Sequence, residues 1–330
     1  MGTPVDPTPA FIARALAEGS NAPGYPTALG TPALRAAAAG WLQRRFGVRA
    51  CPEDAILPTI GSKETVAWLP TMLGIEHGST ILIPELAYPT YQVGAILAGA
   101  RVRPTVDPPL DPSGISLVWL NSPANPHGAV LSATDLRRWV TWGREWSVPI
   151  VVDECYLELC WSVEPVSVLH PSVVGDSHSG VLAVHSLSKR SNLAGYRGGM
   201  IVGGPALIRT VWNLRRHSGL LVPSPVQAAM TAAYGDDVHV AEQRERYRDR
   251  RERLAAALTA AGFRIDHSEA GLYLWSTQHA AAMATVDWFA DRGILVAPGT
   301  FYGATGSQHV RIALTATDER VASAVGRLAS

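Results

Sequence analysis

SLSKRSNLAGYRGG, residues 186–199, continues the apolar run GVLAVHS (180–186) and contains one of only two lysines in the chain. The other is Lys63, so 26 of the 28 basic residues are arginines. Arginine cannot be deprotonated in a protein, whereas lysine can lose its proton and become a nucleophilic amine. A lysine in a Ser- and Gly-rich turn at a strand end therefore indicates amine chemistry at Lys189, of the kind that attacks aldehydes and ketones. The alternative, a solvated surface cation, stays open.

The composition is that of a globular protein with a sizeable core. Its 330 residues are 47% hydrophobic and 17% charged, which suits about two domains. The net charge is zero and no long basic run is present, so we expect no nucleic-acid partner. The chain shows neither an apolar run of ~18 residues nor a signal-peptide pattern, which predicts a cytoplasmic protein with no membrane partner. Cys51, Cys155 and Cys160 lack metal-ligand spacing, so we expect free thiols and no metal.

Seven short apolar runs alternate with amphipathic stretches, which is typical of an α/β fold with a parallel sheet covered by helices. The predicted strands are DAILPTI (54–60), STILIP (79–84), ARVRPTV (100–106), ISLVWLN (115–121), VPIVVD (148–153), GVLAVHS (180–186) and GMIVGG (199–204). Between them, Thr31 and Pro32 predict the start of one helix, as N-cap and first helical residue. Ser132 and Asp135 form a capping box that predicts another.

The second half of the chain has a different pattern. Residues 224–261 are almost entirely helical in pattern, with a break at 234–236, and short strands are predicted at 271–276, 293–299 and 309–314. We predict a large domain over residues 20–235 and a smaller domain over 236–330, with residues 1–19 packing near the smaller one. Arginines and acids alternate in RERYRDRRER (244–253), which predicts a solvated helix face.

Polar residues cluster at the ends of the predicted parallel strands, where open α/β sheets bind ligands. Asn125 follows the strand at 115–121, Asp153 ends the strand at 148–153, and residues 186–189 follow the strand at 180–186. Gly61, Ser62 and Lys63 open a helix after the first strand, an arrangement that suits an anion. Taken singly, each segment could equally be a plain turn, a helix cap or a Pro-rich loop.

Together these segments resemble the fold-type I pyridoxal-phosphate enzymes, the class I/II aminotransferases, over nearly the whole chain. Seven motifs in order carry the resemblance: YPTALGTPALR (25–35), GSKE (61–64), PELAYPTY (84–91), NSPANPHG (121–128), DECY (153–156), SLSK (186–189) with Arg197 eight residues on, and HVRIAL (309–314). The resemblance implies a large domain with a mostly parallel seven-stranded sheet flanked by helices, a smaller α+β carboxyl-terminal domain, and pyridoxal 5'-phosphate as cofactor.

The resemblance also implies a set of cofactor contacts. Lys189 would hold the cofactor as a Schiff base and move the substrate proton, while Asp153 would pair with the pyridinium nitrogen. Tyr156 and Asn125 would hydrogen-bond the phenolic oxygen of the ring. The remaining implied contacts are one stacking ring and a group of phosphate ligands, namely Tyr88 for the stack and Ser62, Lys63, Ser186, Ser188 and Arg197 for the phosphate.

Two further residues have implied roles toward substrate and partner. Arg311 would clamp the substrate α-carboxylate with its two-pronged guanidinium, near Asn125. Tyr25 would cross a dimer interface and reach the cofactor phosphate of the neighbouring subunit, so the expected assembly is a homodimer with shared active sites. The alternatives to these functional roles are structural ones. Tyr88 and Tyr156 would then be core aromatics, and Arg311 would be a surface residue of an edge strand.

Four stretches resemble in sequence the N-succinyldiaminopimelate aminotransferases of actinobacterial lysine biosynthesis: SLSKRSNLAGYRGG (186–199), GTPVDPTP (2–9), ELAYPTY (85–91) and VRIALTATDERV (310–321). This similarity implies amino transfer from glutamate to N-succinyl-2-amino-6-oxopimelate. The alternatives are an aminotransferase of another substrate, a C–S β-lyase, a decarboxylase and a non-catalytic regulatory homologue. A clamped α-carboxylate at Arg311 disfavours α-decarboxylation.

The sequence departs from the family pattern in two places. His127 stands where the family usually has threonine, which we expect to change little because Asn125 is kept. Relatives carry additional residues before GTPVDPTP, in a segment that packs near the substrate entrance and the partner subunit. We therefore expect weaker substrate binding and a weaker dimer, with the cofactor site intact.

Overall fold

A computed structural model of the protein describes residues 2–50 and 53–329, and its larger part is built on a seven-stranded sheet. The strands are β1 (Ile56–Thr59), β2 (Thr80–Pro84), β3 (Arg101–Thr105), β4 (Ile115–Asn121), β5 (Ile150–Asp153), β6 (Val181–Ser186) and β7 (Gly199–Gly203). Their order is β1-β7-β6-β5-β4-β2-β3, and only β7 runs antiparallel to its neighbours. Each strand lies within one of the seven predicted runs, so the mostly parallel seven-stranded sheet is confirmed.

Helices cover both faces of this sheet and continue into the second half of the chain. They are α1 (Ala10–Glu18), α2 (Pro32–Phe46), α3 (Ser62–Met72), α4 (Thr90–Leu97), α5 (Ala133–Glu145), α6 (Pro171–Val174), α7 (Leu187–Arg190), α8 (Pro205–Arg215), α9 (Ser224–Gly235), α10 (Val238–Ala260), α11 (Ala282–Ala290) and α12 (Asp318–Leu328). The two predicted helix starts are confirmed. The Thr31 side chain accepts a hydrogen bond from the Leu34 backbone N–H, and Ser132 accepts one from Asp135.

Alternation along the strands explains why these runs are apolar throughout. Leu117 and Trp119 of β4 pack with α3, α4 and α8, whereas Val118 between them packs on the opposite face with α2, α5 and α9. Successive strand residues point to opposite faces, so a strand covered on both sides must be apolar at every position. The two resulting core layers hold the strand ends in place beneath the candidate site.

A second, antiparallel sheet forms the smaller part of the molecule. It contains β8 (Arg264–Asp266), β9 (Tyr273–Thr277), β10 (Ala297–Pro298) and β11 (Val310–Ala313), in the order β10-β11-β9-β8. Residues of α10, α11 and α12 share its apolar core. β8 was not predicted, because its three residues, RID, carry no apolar run. The predicted run at 293–299 pairs only through Ala297 and Pro298.

The amino-terminal segment touches both parts of the molecule. Ile12 of α1 is buried in the core that α2 and α9 share, while the Asp6 carboxylate accepts hydrogen bonds from Arg250 of α10. The division of the chain at residues 235 and 236 stays a prediction. Within residues 2–50 and 53–329, no helix is long and apolar enough to cross a membrane.

The arginine-rich helix α10 corrects one prediction. Arg250 is only 1% exposed and forms ion pairs of 2.6 Å with both Asp6 and Asp318, so residues 244–253 are not one solvated face. Tyr247 and Leu254, spaced three and four residues from it, are buried on the same side. The prediction was wrong because a buried, paired arginine interrupts the apolar stripe that would have marked this face.

The expectation of free thiols is confirmed for the two cysteines that the structure describes. Cys155 and Cys160 are free thiols, and Cys51 lies outside the described residues.

Candidate active site

One cavity of about 590 Å³ opens at the carboxyl ends of the parallel strands. Strands β4, β5 and β6 end at the same edge of the sheet, which brings residues far apart in sequence to one place. Eleven of the twelve predicted site residues line this cavity, namely Ser62, Lys63, Tyr88, Asn125, Asp153, Tyr156, Ser186, Ser188, Lys189, Arg197 and Arg311. The roles that the resemblance implies for them stay predictions.

Lys189 lies on the short helix α7, which begins directly after β6. The Ser186 side chain caps this turn by accepting a hydrogen bond from the Ser188 backbone N–H at 3.1 Å. Burial, together with the positive charges of Arg311 and Arg197, lowers the pKa of Lys189 to about 8. Burial also raises the pKa of the neighbouring Cys155 thiol well above its usual range, so this thiol stays neutral.

Asp153 ends β5 as a buried carboxylate with two donors. The Cys155 backbone N–H donates to Oδ1 at 3.1 Å, and the Tyr91 hydroxyl donates to Oδ2 at 3.0 Å. Burial raises the pKa of Asp153, while these two hydrogen bonds lower it. A cation placed against this carboxylate would stabilise its charged form, as the protonated nitrogen of a pyridine ring does.

A turn before α3 and the Arg197 guanidinium together form an anion cradle. Gly61 has φ 76°, and a Cβ at this position would lie 2.5 Å from Arg197 Nη2, so only glycine leaves room for the guanidinium. Arg197 Nη1 donates to the Ala194 carbonyl at 2.7 Å, which holds the side chain in place. The backbone N–H groups of Ser62 and Lys63 begin α3, where helix donors have no intrahelical partner and favour negative charge.

Arg311 of β11 reaches the cavity from the smaller part of the molecule. Its guanidinium carbon lies 3.8 Å from the ring centroid of Tyr273 and 4.9 Å from that of Tyr302. Nη1 donates to Asn125 Oδ1 at 2.8 Å, and Nε has no hydrogen-bond partner among the described residues. An oriented guanidinium with an unused donor is suited to a carboxylate.

Two tyrosine hydroxyls complete this side of the cavity. Tyr156 Oη lies 3.1 Å from Tyr273 Oη, and burial raises the pKa of Tyr156 well above its ordinary value, so the hydroxyl stays protonated. A protonated phenol can donate a hydrogen bond to a neighbouring oxygen anion. The half-buried ring of Tyr88 lines the cavity beside Lys63, whose ammonium lies 5.9 Å from the ring centroid.

Tyr25 is the one predicted site residue that the structure does not bring to this cavity. Its side chain is 98% exposed on the surface of the chain. The prediction assigns Tyr25 to the cavity of a neighbouring subunit, which a single chain does not test, so it stays a prediction.

Sequence reasoning missed four residues of the site. Tyr91, Tyr273 and Tyr302 contact Asp153, Tyr156 or Arg311, and Gly2 accepts a hydrogen bond from Lys189 Nζ through its carbonyl. Tyr91 could have been noticed, because it lies one helical turn after Tyr88 at the start of α4. No sequence feature distinguishes Tyr273 and Tyr302 from ordinary core aromatics.

The match to a known family agrees with this geometry. The family model "Aminotransferase class I and II" matches residues 2–328 of the chain. The chain belongs to the class I and II aminotransferases. This family depends on pyridoxal phosphate, so the family, the fold class and the cofactor expected from the sequence are all confirmed.

Two relatives of this aminotransferase are similar along almost its whole length. The 4-dedimethylamino-4-oxo-anhydrotetracycline transaminase OxyQ of Streptomyces rimosus is 56% identical over 330 residues, which cover 99% of this chain and 91% of that protein. The protein named "Probable aminotransferase Rv1178" of Mycobacterium tuberculosis is 55% identical over 329 residues, covering 99% of this chain and 79% of that protein. Both names denote aminotransferases, but neither names the substrate that the sequence suggested.

Solved structures of aminotransferases superpose on the whole chain. An aminotransferase from Staphylococcus aureus has a TM-score of 0.92 at 25% identity, covering 100% of this chain and 92% of that one. The N-succinyldiaminopimelate aminotransferase from Mycobacterium tuberculosis has a TM-score of 0.89 at 26% identity, covering 100% of this chain and 91% of that one.

The residues around the cavity fit pyridoxal phosphate. Lys189 offers an amine with a lowered pKa to the aldehyde, and the buried Asp153 offers a carboxylate to the pyridine nitrogen. The phosphate would fit the cradle of Arg197 and the α3 N-terminus, which the absence of a Cβ at Gly61 keeps open. The phosphate and the pyridine nitrogen of the cofactor thus each have a side chain of suitable charge.

Proposed function

We propose that this aminotransferase moves an amino group from glutamate to N-succinyl-2-amino-6-oxopimelate, as a step of lysine and diaminopimelate biosynthesis. The observation that carries the catalytic part is the single cavity shared by Lys189, Asp153 and Arg311. It combines an amine of lowered pKa, a buried carboxylate and an oriented guanidinium, which amino transfer on pyridoxal phosphate requires. The assignment of the acceptor is supported by the sequence similarity of the four stretches and by the structural similarity to the N-succinyldiaminopimelate aminotransferase from Mycobacterium tuberculosis.

Each residue then has one chemical task. When bound, pyridoxal phosphate supplies an aldehyde that links covalently to amines and a ring that accepts electrons from the substrate Cα. Lys189 Nζ takes the proton from Cα and returns it on the cofactor side, as a general base and then a general acid. Asp153 keeps the pyridine nitrogen protonated, and Arg311 orients the α-carboxylate. Asn125 holds Arg311 in place through their hydrogen bond.

A second candidate acceptor has support from sequence identity. OxyQ, which is 56% identical to this chain, is named for a ketone on a tetracycline precursor. A polycyclic ketone is therefore an alternative acceptor for the same catalytic residues. A C–S β-lyase is a further alternative, because it uses the same cofactor contacts and differs in the bond that is broken.

An acceptor screen separates these candidates. Purified protein would be incubated with glutamate and one acceptor at a time, and 2-oxoglutarate would be quantified. We expect kcat/KM to be highest for the succinylated aldehyde acid. Higher kcat/KM for a polycyclic ketone would favour the alternative acceptor, and pyruvate release from cystathionine without amino transfer would favour a lyase.

The pH dependence of cofactor uptake tests the role of Lys189. Only the neutral amine attacks an aldehyde, and a pKa of about 8 in place of 10.5 leaves roughly one amine in ten neutral at pH 7 instead of about one in three thousand. We expect the rate of covalent uptake by cofactor-free protein to rise with pH and level off above about 8, measured by the absorbance change on mixing with pyridoxal phosphate. A rate that still rises steeply beyond pH 9.5 would contradict the lowered pKa.

We further propose that the enzyme is a cytoplasmic homodimer in which Tyr25 of each subunit completes the other subunit's site. Tyr25 is 98% exposed in the single chain, so its side chain is free to contact a second copy. The phosphate dianion of the neighbouring subunit would gain one more hydrogen-bond donor from its hydroxyl.

Mixing two defective variants tests the shared site. Tyr25→Phe is expected to weaken retention of pyridoxal phosphate while the fold is kept, and Lys189→Ala is expected to be inactive. Subunit exchange between them gives heterodimers with one doubly defective site and one intact site, so about a quarter of all sites regain full function. Activity above the average of the two unmixed variants is the expected result. No gain after confirmed subunit exchange would contradict the proposal.

A further inference from the structure

Behind the active site lies a group of buried ionisable residues that the proposed chemistry does not use. Each is the immediate chain neighbour of a residue that lines the active-site cavity: Glu154 follows Asp153, His185 precedes Ser186, and Arg190 follows Lys189. Glu154, His185 and Arg190 are 2%, 1% and 4% exposed. Because successive residues of an extended chain point to opposite faces, Glu154 and His185 lie on the side of these strand ends opposite to Asp153 and Ser186.

Glu154 ties the polar layer to a neighbouring loop. The Val168 backbone N–H donates to Glu154 Oε1 at 2.6 Å, and the Ser167 hydroxyl donates to Oε2 at 2.8 Å. Oε2 also lies 3.6 Å from His185 Nε2, which is too long for a direct hydrogen bond. Burial raises the pKa of Glu154 to about 8 and lowers that of His185 to about 3, so both side chains are neutral at pH 7.

Several buried polar atoms in this layer lack a partner. Neither His185 Nδ1 nor Nε2 has a hydrogen bond among the described residues, and the same holds for Trp41 Nε1. The indole of Trp41 meets the imidazole edge to face, with ring centroids 5.2 Å apart. Buried donors and acceptors are rarely left unpaired, because each unmade hydrogen bond costs about 1–3 kcal/mol.

A small cavity lies between these residues. It has a volume of about 10 Å³ and is lined by Trp41, Glu154, His185 and Arg190, together with Cys155, Leu157, Glu158, Leu159 and Ser186. A cavity of roughly this size accommodates one water molecule, provided that two or more polar partners surround it. The unpaired indole donor and the unpaired imidazole nitrogen meet that condition.

We propose that this cavity binds one ordered water molecule, which accepts a hydrogen bond from Trp41 and joins His185 to Glu154. The resulting network makes His185 a positioning residue, because it fixes the strand ends that carry Asp153 and Ser186. A displacement of about 1 Å at reacting groups can lower a rate as much as 10²-fold. The catalytic consequence rests on the proposed function of Asp153 and Lys189, whereas the water site does not.

His185→Phe is the variant that tests both parts. Phenylalanine keeps an aromatic ring against Trp41 and removes both nitrogen atoms, and His185→Gln restores a polar group near the position of Nε2. The matched control is His239→Phe, since His239 is also buried and hydrogen-bonds Ser191 and Asp236. Crystal structures of cofactor-free wild type and His185→Phe should show the water in the first and not in the second.

The kinetic arm separates positioning from simple stability. For His185→Phe we expect kcat with glutamate to fall about tenfold at nearly unchanged KM, together with a shift of the visible absorption maximum. His185→Gln should recover most of the wild-type kcat and absorption maximum. His239→Phe should lower Tm without changing kcat or the absorption maximum.

An empty cavity in the wild-type crystal structure would overturn the water site. Wild-type kcat and spectrum in His185→Phe would overturn the positioning role. If wild type itself transfers no amino group from glutamate, the proposed function has failed, and the crystallographic result still decides the water site.

Discussion

Lys189→Arg is expected to abolish amino transfer, with kcat reduced by at least about 10⁴-fold, while the protein stays folded. The substitution keeps the positive charge at the cavity but removes an amine whose lowered pKa lets it exist both as a neutral amine and as an ammonium near pH 7. General acid–base catalysis alone is worth up to about 10⁴-fold, and the covalent step is lost as well. The measurement is 2-oxoglutarate production from glutamate.

Lys63→Arg is the matched control for this prediction. It makes the same chemical change at the other lysine that lines the cavity, at the start of α3. We expect this variant to keep most of its activity, since the predicted phosphate contact of residue 63 is its backbone N–H rather than its side chain. Loss of activity in Lys63→Arg with activity kept in Lys189→Arg would reverse the assignment.

Asp153→Ala is expected to lower kcat by about 10²- to 10³-fold, the range observed when one pre-organised electrostatic partner is removed from a reacting group. The predicted phosphate contacts are Arg197 and the α3 N-terminus, so retention of pyridoxal phosphate should fall much less. Single-turnover mixing with glutamate measures the proton-transfer step directly. Turnover at near wild-type rate would show that Asp153 does not tune the cofactor ring.

Tyr91→Phe provides the graded control for Asp153. It removes the 3.0 Å hydrogen bond to Oδ2 but keeps the carboxylate and the stack on Trp119, whose ring centroid lies 5.2 Å away. A hydrogen bond to a charged carboxylate is worth about 1.5–3 kcal/mol, but only its change during the reaction affects kcat, so we expect a loss of about tenfold. A loss as large as that of Asp153→Ala would mean that Tyr91 itself contacts the reacting groups.

Much of the fold was predictable because its local signals agree with its tertiary structure. The strands of the large sheet are buried on both faces, so each appears as an uninterrupted apolar run. The helices begin at caps such as Thr31 and Ser132, whose side chains make the hydrogen bonds that the sequence suggested. β8 escaped prediction because an exposed three-residue strand depends on its pairing with β9 rather than on its own composition.

The candidate site was predictable for residues that stand out chemically and not for those that support them. Lys189 is conspicuous in a chain that otherwise uses arginine, and Asp153 ends an apolar strand. Tyr273 and Tyr91 have no such contrast, because a tyrosine in a strand or helix usually serves the core. The prediction of a solvated face around Arg250 was wrong because arginine is usually exposed to solvent, whereas here it is buried and paired with two carboxylates.

Substrate identity lies beyond what these local signals carry. A 56% identical relative and a 26% identical one bear the names of different aminotransferase activities, so membership of the family does not determine the acceptor. Discrimination depends on the shape and polarity of the remaining cavity wall.

Reductive trapping of the cofactor tests the central claim most directly, because the chain contains only two lysines. Borohydride would be added to the purified protein loaded with pyridoxal phosphate, followed by proteolysis and mass spectrometry of the peptides. The account predicts one phosphopyridoxyl label per chain, on the peptide that contains Lys189. A label confined to Lys63, or no label on protein that is active with glutamate, would contradict it.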